Sequence, residues 1–245
     1  MNGTTNDWKN RTVGDIVAEN FAASRVFASY GIDFCCHGGQ TLAEACRKDN
    51  LSEEKVIGDL CRLEEGSRSA SPEFAEWPLD LLIDYVLKIH HRGIRRRGPE
   101  IARLLDKVVA AHAEAHPELH ELQVLFAQSL EDLESHLQKE ENVLFPFLNE
   151  LFTASEEGYA IRQMHCGTVQ NPIRVMFMEH EGEGNRYHRI TELTGNFQTP
   201  ADGCASYRLL MEELKGFMTA LYEHIHLENN LIFPRAVALE SQWVR

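Results

Sequence analysis

His136-Leu-Gln-Lys-Glu140-Glu-Asn142-Val-Leu-Phe145-Pro146 and His224-Ile-His-Leu-Glu228-Asn-Asn230-Leu-Ile-Phe233-Pro234 carry His, Glu, Asn, Phe and Pro at the same offsets. Two helices related by approximate two-fold symmetry are predicted. In the first, Leu122, Phe126, Ser129, Leu133, His136, Glu140, Val143 and Phe147 recur at steps of four and three, the spacing of a core-facing stripe. In the second, Leu210, Leu214, Phe217, Leu221, His224, Glu228 and Ile232 do the same. Each stripe places a His and a Glu, four residues apart, where apolar side chains are expected. An ionised Glu in a core costs several kcal/mol even after relaxation. Two at equivalent places need a partner, and a metal ion accepts both imidazole and carboxylate. The i, i+4 spacing sets His and Glu about 6 Å apart on one face, within reach of one centre.

Two further helices supply the rest. Leu87, His91, Ile94, Gly98, Ile101 and Leu105 define one inward stripe, with His90 rotated off it. Ile173, Phe177, His180, Gly184 and Tyr187 define another. The predicted metal ligands are therefore His91, His136, Glu140, His180, His224 and Glu228. The alternative, buried histidines hydrogen-bonded to glutamates, serves for any one of them but not for the repeated set. If both glutamates bridge two metals, each metal has two His nitrogens and two carboxylate oxygens. A bridging oxo or hydroxo group makes five ligands and leaves one octahedral position open. Mixed N/O ligation on a helical bundle favours iron, then manganese, then zinc. The open position suits a small ligand such as nitric oxide, dioxygen or peroxide. His112 is 21 residues from His91, about 30 Å along a helix, and so lies outside the site. His116, His120, His165, His188 and His226 are read as peripheral.

Strand signals are almost absent. Four long helical patterns, about 79–115 with a kink at Gly98-Pro99, 117–152, 172–193 and 205–239, predict a four-helix bundle. Before them, a helix over 12–30 with Thr12 and Asp15 spaced as a cap, a stop at Gly31, and short helices from Thr41 and Ser52 predict a small helical unit. The Gly66-Ser67-Arg68-Ser69-Ala70-Ser71-Pro72 stretch is the best linker. The expected organisation is an all-α chain with an N-terminal domain at 1–66, a linker at 67–78 and the bundle at 79–245.

Composition narrows the function. Lys+Arg total 24 against 38 Asp+Glu, for a net charge of -14. A chain this acidic is a poor partner for nucleic acid, where affinity comes from phosphate neutralisation. No apolar run approaches the roughly 18 residues of a membrane span, and residues 1–12 lack a signal-peptide apolar segment. A cytoplasmic protein is expected, with its six cysteines mostly as thiols. No CxxC pair points to structural zinc. Cys35 and Cys36 precede the helix at Thr41. A helix N-terminus and His37 would lower a thiol pKa there. The pair reads either as a redox, iron- or NO-handling site or as a small hydrophobic turn.

The inward His and His-x-x-x-Glu pattern, with KEENVLFP and HLENNLIFP, resembles a hemerythrin-like di-iron domain. GIDFCCHGGQTLAEAC resembles the cysteine-pair domain that precedes it in the Repair of Iron Centres family, except that here His37 stands between the cysteine pair and Gly38. The resemblance covers nearly the whole chain. It implies iron ligands at His91, His136, Glu140, His180, His224 and Glu228, two non-haem iron ions per chain with oxo/hydroxo and carboxylate bridges, and a homodimer. It also implies repair of iron-sulfur clusters damaged by nitrosative or oxidative stress, with damaged iron-sulfur proteins as partners. A nitric oxide or peroxide reductase and a dioxygen- or NO-sensing or carrying module use the same ligands and stand as alternatives.

Overall fold

In the computed structural model, residues 5–66 and 74–244 are described. Among them there is no β-strand, only isolated bridges. The N-terminal part comprises α1 (Thr5–Asn10), α2 (Val13–Glu19), α3 (Ala23–Tyr30), α4 (Leu42–Lys48) and α5 (Glu53–Gly66). Thr12 accepts from the Asp15 backbone N–H at 3.1 Å and opens α2. Gly31, at φ 72°, closes α3, a left-handed conformation that costs glycine little. The single helix expected over 12–30 is broken. Asn20 is extended and its Oδ1 accepts from the Ala22 N–H at 3.1 Å, the local backbone bond by which Asn competes with a helix. A reciprocal Thr41/Glu44 capping box opens α4. Of the expected linker, residues 67–73 lie outside the described residues. Phe74–Glu76 form a 3-10 turn with Phe74 buried.

The bundle is built from α6 (Leu79–Tyr85), α7 (Arg92–His112), α8 (Glu118–Lys139), α9 (Phe145–Glu157), α10 (Gln170–Leu193), α11 (Ala205–Leu227) and α12 (Phe233–Trp243). Helix α7 packs on α8, α8 on α10, α10 on α11 and α11 on α7, closing a ring of four. Helix α7 continues through Gly98 and Pro99. Gly98 permits close approach of helices, because a Cβ there would lie 2.5 Å from Leu130 Cδ2. The interruptions are three π turns, at Val86–His91, Glu140–Leu144 and Glu228–Ile232. In the latter two, Pro146 and Pro234 follow. A proline has no N–H for the carbonyl four residues back and its ring clashes with that carbonyl, which favours the wider turn.

Apolar side chains form two clusters. One joins the N-terminal helices to α7, α8, α10 and α11. The other gathers α6, α9, α12 and the start of α10. Between them lies a layer of buried His and Glu, at the level of the π turns.

Candidate metal centre

Each π turn begins or ends at a member of this layer: His91 ends the first, and Glu140 and Glu228 begin the others. Such single wide turns occur often at functional sites. The six predicted residues come together. His91, Glu140, His224 and Glu228 form one group, and His136, Glu140, His180 and Glu228 the other. Within each group the donor atoms lie within 4.8 Å of one another. His91 and His136 Nε2 approach Glu140 Oε2 at 3.4 and 3.3 Å. His180 and His224 Nε2 approach the Glu228 oxygens at 3.1 and 2.8 Å. Both glutamates are 0% exposed, and both Glu140 oxygens, Glu228 Oε2 and His91 Nε2 have no hydrogen-bond partner. Buried polar atoms are rarely left so, and here they converge on the space a metal ion would fill.

Three of the four outward nitrogens are tied down, and His224 Nδ1 has no hydrogen-bond partner. His91 Nδ1 donates to Glu141 at 2.9 Å, His136 Nδ1 to Glu179 at 2.8 Å and His180 Nδ1 to Asn229 Oδ1 at 2.8 Å. Carboxylates only accept, and the Asn229 amide nitrogen is already used on the Cys35 carbonyl at 3.2 Å. Nδ1 therefore carries the proton in all three rings, which frees Nε2 to face the centre. This is the supporting shell of metal-bound histidines. Burial opposes charge on His136, yet Glu140, Glu179 and Glu228 together more than offset it and push the pKa up to about 10. For His224, Glu228 and Glu140 together outweigh burial and the value rises to about 9. Burial works against an ionised Glu140 as well, but His136 and its neighbours hold it well below the usual carboxylate range.

A cavity of about 290 Å³ leads to this layer, with Asp132, Lys139 and Arg186 on its wall together with His136, His180 and His224. Glu183 also lines it, buried, accepting from Ser129 Oγ at 2.7 Å and paired with Arg186 at 2.8 Å. Burial raises its pKa.

The sequence reading missed several of these residues. Glu141, Glu179 and Asn229 each adjoin a ligand in the chain, and that adjacency was the available signal. Glu183 lies three residues beyond His180, on a stripe that runs through Met176 rather than the exposed Phe177. His90 is not turned away. It is buried, stacked on His224 at 5.8 Å, with Nε2 3.7 Å from Glu223, because the π turn brings two consecutive residues inward. His226 is not peripheral either. It is fully buried, accepts from Asn230 at 3.0 Å, and burial lowers its pKa to about 4. His112 stays outside the centre, 3.2 Å from Cys204 Sγ.

Cys35 and Cys36 sit on a loop docked against the bundle. Cys36 Sγ is 3.5 Å from the His180 carbonyl. Asn230 donates to the Phe34 and Cys35 carbonyls at 3.3 Å. Gly38 is required there, since a Cβ would fall 2.2 Å from Asn230 Oδ1. The expected lowering of the thiol pKa does not hold for Cys35. His37 pairs with Asp33 at 2.6 Å rather than with a thiol, and the Cys36 contact together with burial pushes Cys35 well above its ordinary value.

Bundle and site are those of a cation-binding helical protein, and the Hemerythrin HHE cation binding domain matches residues 82–236. The Domain of Unknown function (DUF542) matches residues 9–64. The "Iron-sulfur cluster repair protein YtfE" of Yersinia pseudotuberculosis serotype IB (strain PB1/+) is 32% identical over 231 residues, 94% of this chain and 98% of that protein. The protein of the same name from Yersinia pestis (strain Pestoides F) matches to the same extent. The chain belongs to this hemerythrin-domain family of iron-sulfur cluster repair proteins.

Proposed function

We propose that this protein binds two iron ions and serves in the repair of iron-sulfur clusters damaged by nitrosative or oxidative stress, releasing iron for their reassembly. The observation that carries this is the pair of buried donor sets, each of two histidines with Glu140 and Glu228 common to both. His91 and His224 would hold one ion and His136 and His180 the other, with the glutamates shared. Iron there supplies a divalent, redox-active centre. The chain's own residues orient the imidazoles through Glu141, Glu179 and Asn229, keep bulk water from the glutamates, and exchange protons for metal at Nε2, since loading requires deprotonated ligands. The partners are damaged iron-sulfur proteins, and the working unit is a cytoplasmic homodimer. Among the described residues no helix is long and apolar enough to cross a membrane.

Iron content and reactivation of a nitric-oxide-damaged iron-sulfur enzyme test the reading together. Two irons per chain with restored activity are expected, and one iron or tightly held zinc alone would overturn the dinuclear assignment. A second reading is favoured by the cavity that reaches three of the histidines. A nitric oxide, dioxygen or peroxide molecule entering there would be bound or reduced. Nitrous oxide formed with turnover would mark an enzyme, and reversible oxygenation without turnover a carrier.

A further inference from the structure

We propose that Asp33, Cys35 and Cys36 form a separate site for a single divalent, thiol-seeking cation at the junction between the cysteine loop and the bundle. One carboxylate oxygen and the two sulfurs lie within 4.8 Å of one another. The sulfurs are 3.9 Å apart, and Cys35 Sγ is 3.3 Å from Asp33 Oδ1. Two thiolates bound about 2.3 Å from one tetrahedral ion are separated by about 3.8 Å, and a thiolate and a carboxylate oxygen by about 3.5 Å. The two sulfurs, and Cys35 Sγ with Asp33 Oδ1, thus stand close to their bound spacing.

A disulfide is a poorer use of the same pair. Adjacent Cα atoms are about 3.8 Å apart across a trans peptide, short of the roughly 4.4 Å at the lower end for ordinary disulfides. Both thiols are free.

The loop is set in advance. Asp33 Oδ1 accepts the backbone N–H of Cys35 at 3.0 Å and of Cys36 at 2.9 Å, while Oδ2 pairs with His37 Nδ1 at 2.6 Å. Asn229 and Asn230 hold the Cys35 carbonyl from the bundle side. Little ordering remains to be done when an ion arrives. Three protein donors leave the fourth tetrahedral position open, which marks an exchangeable site rather than a closed structural one. With Cys35 buried and Cys36 half-buried, the site has one side toward the exterior and the other against the His180 carbonyl. It is placed as a staging point for a cation passing between the bundle and an acceptor. On binding, the two S–H protons pass to solvent, the hydrated ion gives up waters for two metal–sulfur bonds and one bond to an Asp33 oxygen, and no electron moves. That the cation is ferrous iron rests on the function proposed above; that a cation binds does not.

Cobalt(II) titration of the reduced full chain tests this. The buried His/Glu centre offers only nitrogen and oxygen donors, so with the exposed Cys166 and Cys204 changed to serine in every sample a near-ultraviolet thiolate-to-cobalt band reports the cysteine loop. The band should saturate at one equivalent and vanish in Cys35→Ser/Cys36→Ser, with helicity and the bundle's cobalt retained. Asp33→Asn keeps an oxygen for the loop N–H groups but removes the charge, so affinity at this site should fall roughly tenfold or more. No thiolate band with Cys35 and Cys36 in place, or a band surviving their change to serine, would overturn the site. Unchanged affinity in Asp33→Asn would overturn the carboxylate's part. Should the double variant fail to fold, cobalt should slow alkylation of Cys36 in the natural chain, and an unchanged rate would also overturn the site. Iron content of the bundle is read separately, so failure here leaves the repair function standing.

Discussion

Asn229 ties His180 to the cysteine loop: its Oδ1 lies 2.8 Å from His180 Nδ1 while its Nδ2 donates to the Cys35 carbonyl at 3.2 Å. One side chain fixes both a bundle imidazole and the loop that carries the thiols. Asn229→Ala should weaken metal binding by about 10- to 100-fold, as loss of an outer partner does, and loosen the loop as well. Chelator competition and alkylation of Cys36 measure the two effects, and both are expected to move together.

Glu140→Leu should lose the bound iron and keep its helicity. Glu140 is fully buried against His91, His136 and His224, and removing one partner of a buried pair costs about 3–5 kcal/mol, so metal-free melting should occur at a lower temperature. His112→Ala, at the far end of the bundle, should leave iron content unchanged. Iron analysis and thermal melts check both.

Metal binding should strengthen as pH rises. In the metal-free protein His136 titrates near 10 and His224 near 9, raised from 6.5. At pH 7 both carry protons that a metal must displace, so loading releases protons and affinity grows up to pH 9–10, where the slope flattens. The metal-free fold behaves in the opposite sense. A pKa raised on folding stabilises fully below 6.5 and is lost as pH climbs through 9–10. Calorimetry in buffers of different ionisation enthalpy, with metal-free melts at both ends of the window, tests the two signs.

Phe34→Ala should destabilise the bundle as well as the N-terminal helices. Phe34 is buried, 6.4 Å from the Tyr222 ring and 5.9 Å from His226. Emptying such a position costs about 3–5 kcal/mol. One apolar cluster runs through both parts, so far-ultraviolet dichroism and tryptophan fluorescence should report a single earlier transition.

Cys204 should be the first cysteine alkylated near neutral pH. The Tyr207 N–H at the start of α11 and the His112 ring lower its pKa to about 7, and it is exposed. His112→Ala should slow that alkylation at pH 7, as peptide mapping after a short iodoacetamide pulse would show.

The repeated His and Glu were legible because they lie upstream of, or at the first residue of, a π turn, where the 3.6-residue period still holds. Beyond that residue the period fails in the first repeat. Val143, assigned to the inward stripe, is 37% exposed, and Leu144 is buried in its place. The same widening hid His90. The break at Asn20 depends on one side-chain bond that competes with helix formation. The docking of the cysteine loop depends on Asn229 and Asn230, far along the chain from Phe34 and Cys35, and no local pattern announces a contact of that range. His226 was missed for the same reason: its burial is supplied by Phe21 and Phe34 from the N-terminal helices.

The internal repeat is matched in sequence but not in surroundings. Asn142 is exposed and bonds its own helix, at the Gln138 carbonyl, whereas its counterpart Asn230 grips the cysteine loop. His136, His180 and His224 line the cavity, while His91 lies against Phe145. The donor set of His136 and His180 therefore has both imidazoles on the cavity, and the set of His91 and His224 only one. Exchange should be biphasic, with one ion turning over quickly and its twin staying behind. If two ions are held as proposed, a half-emptied bundle would keep one charge beside the buried glutamates, hold its shape, and stand ready to be refilled.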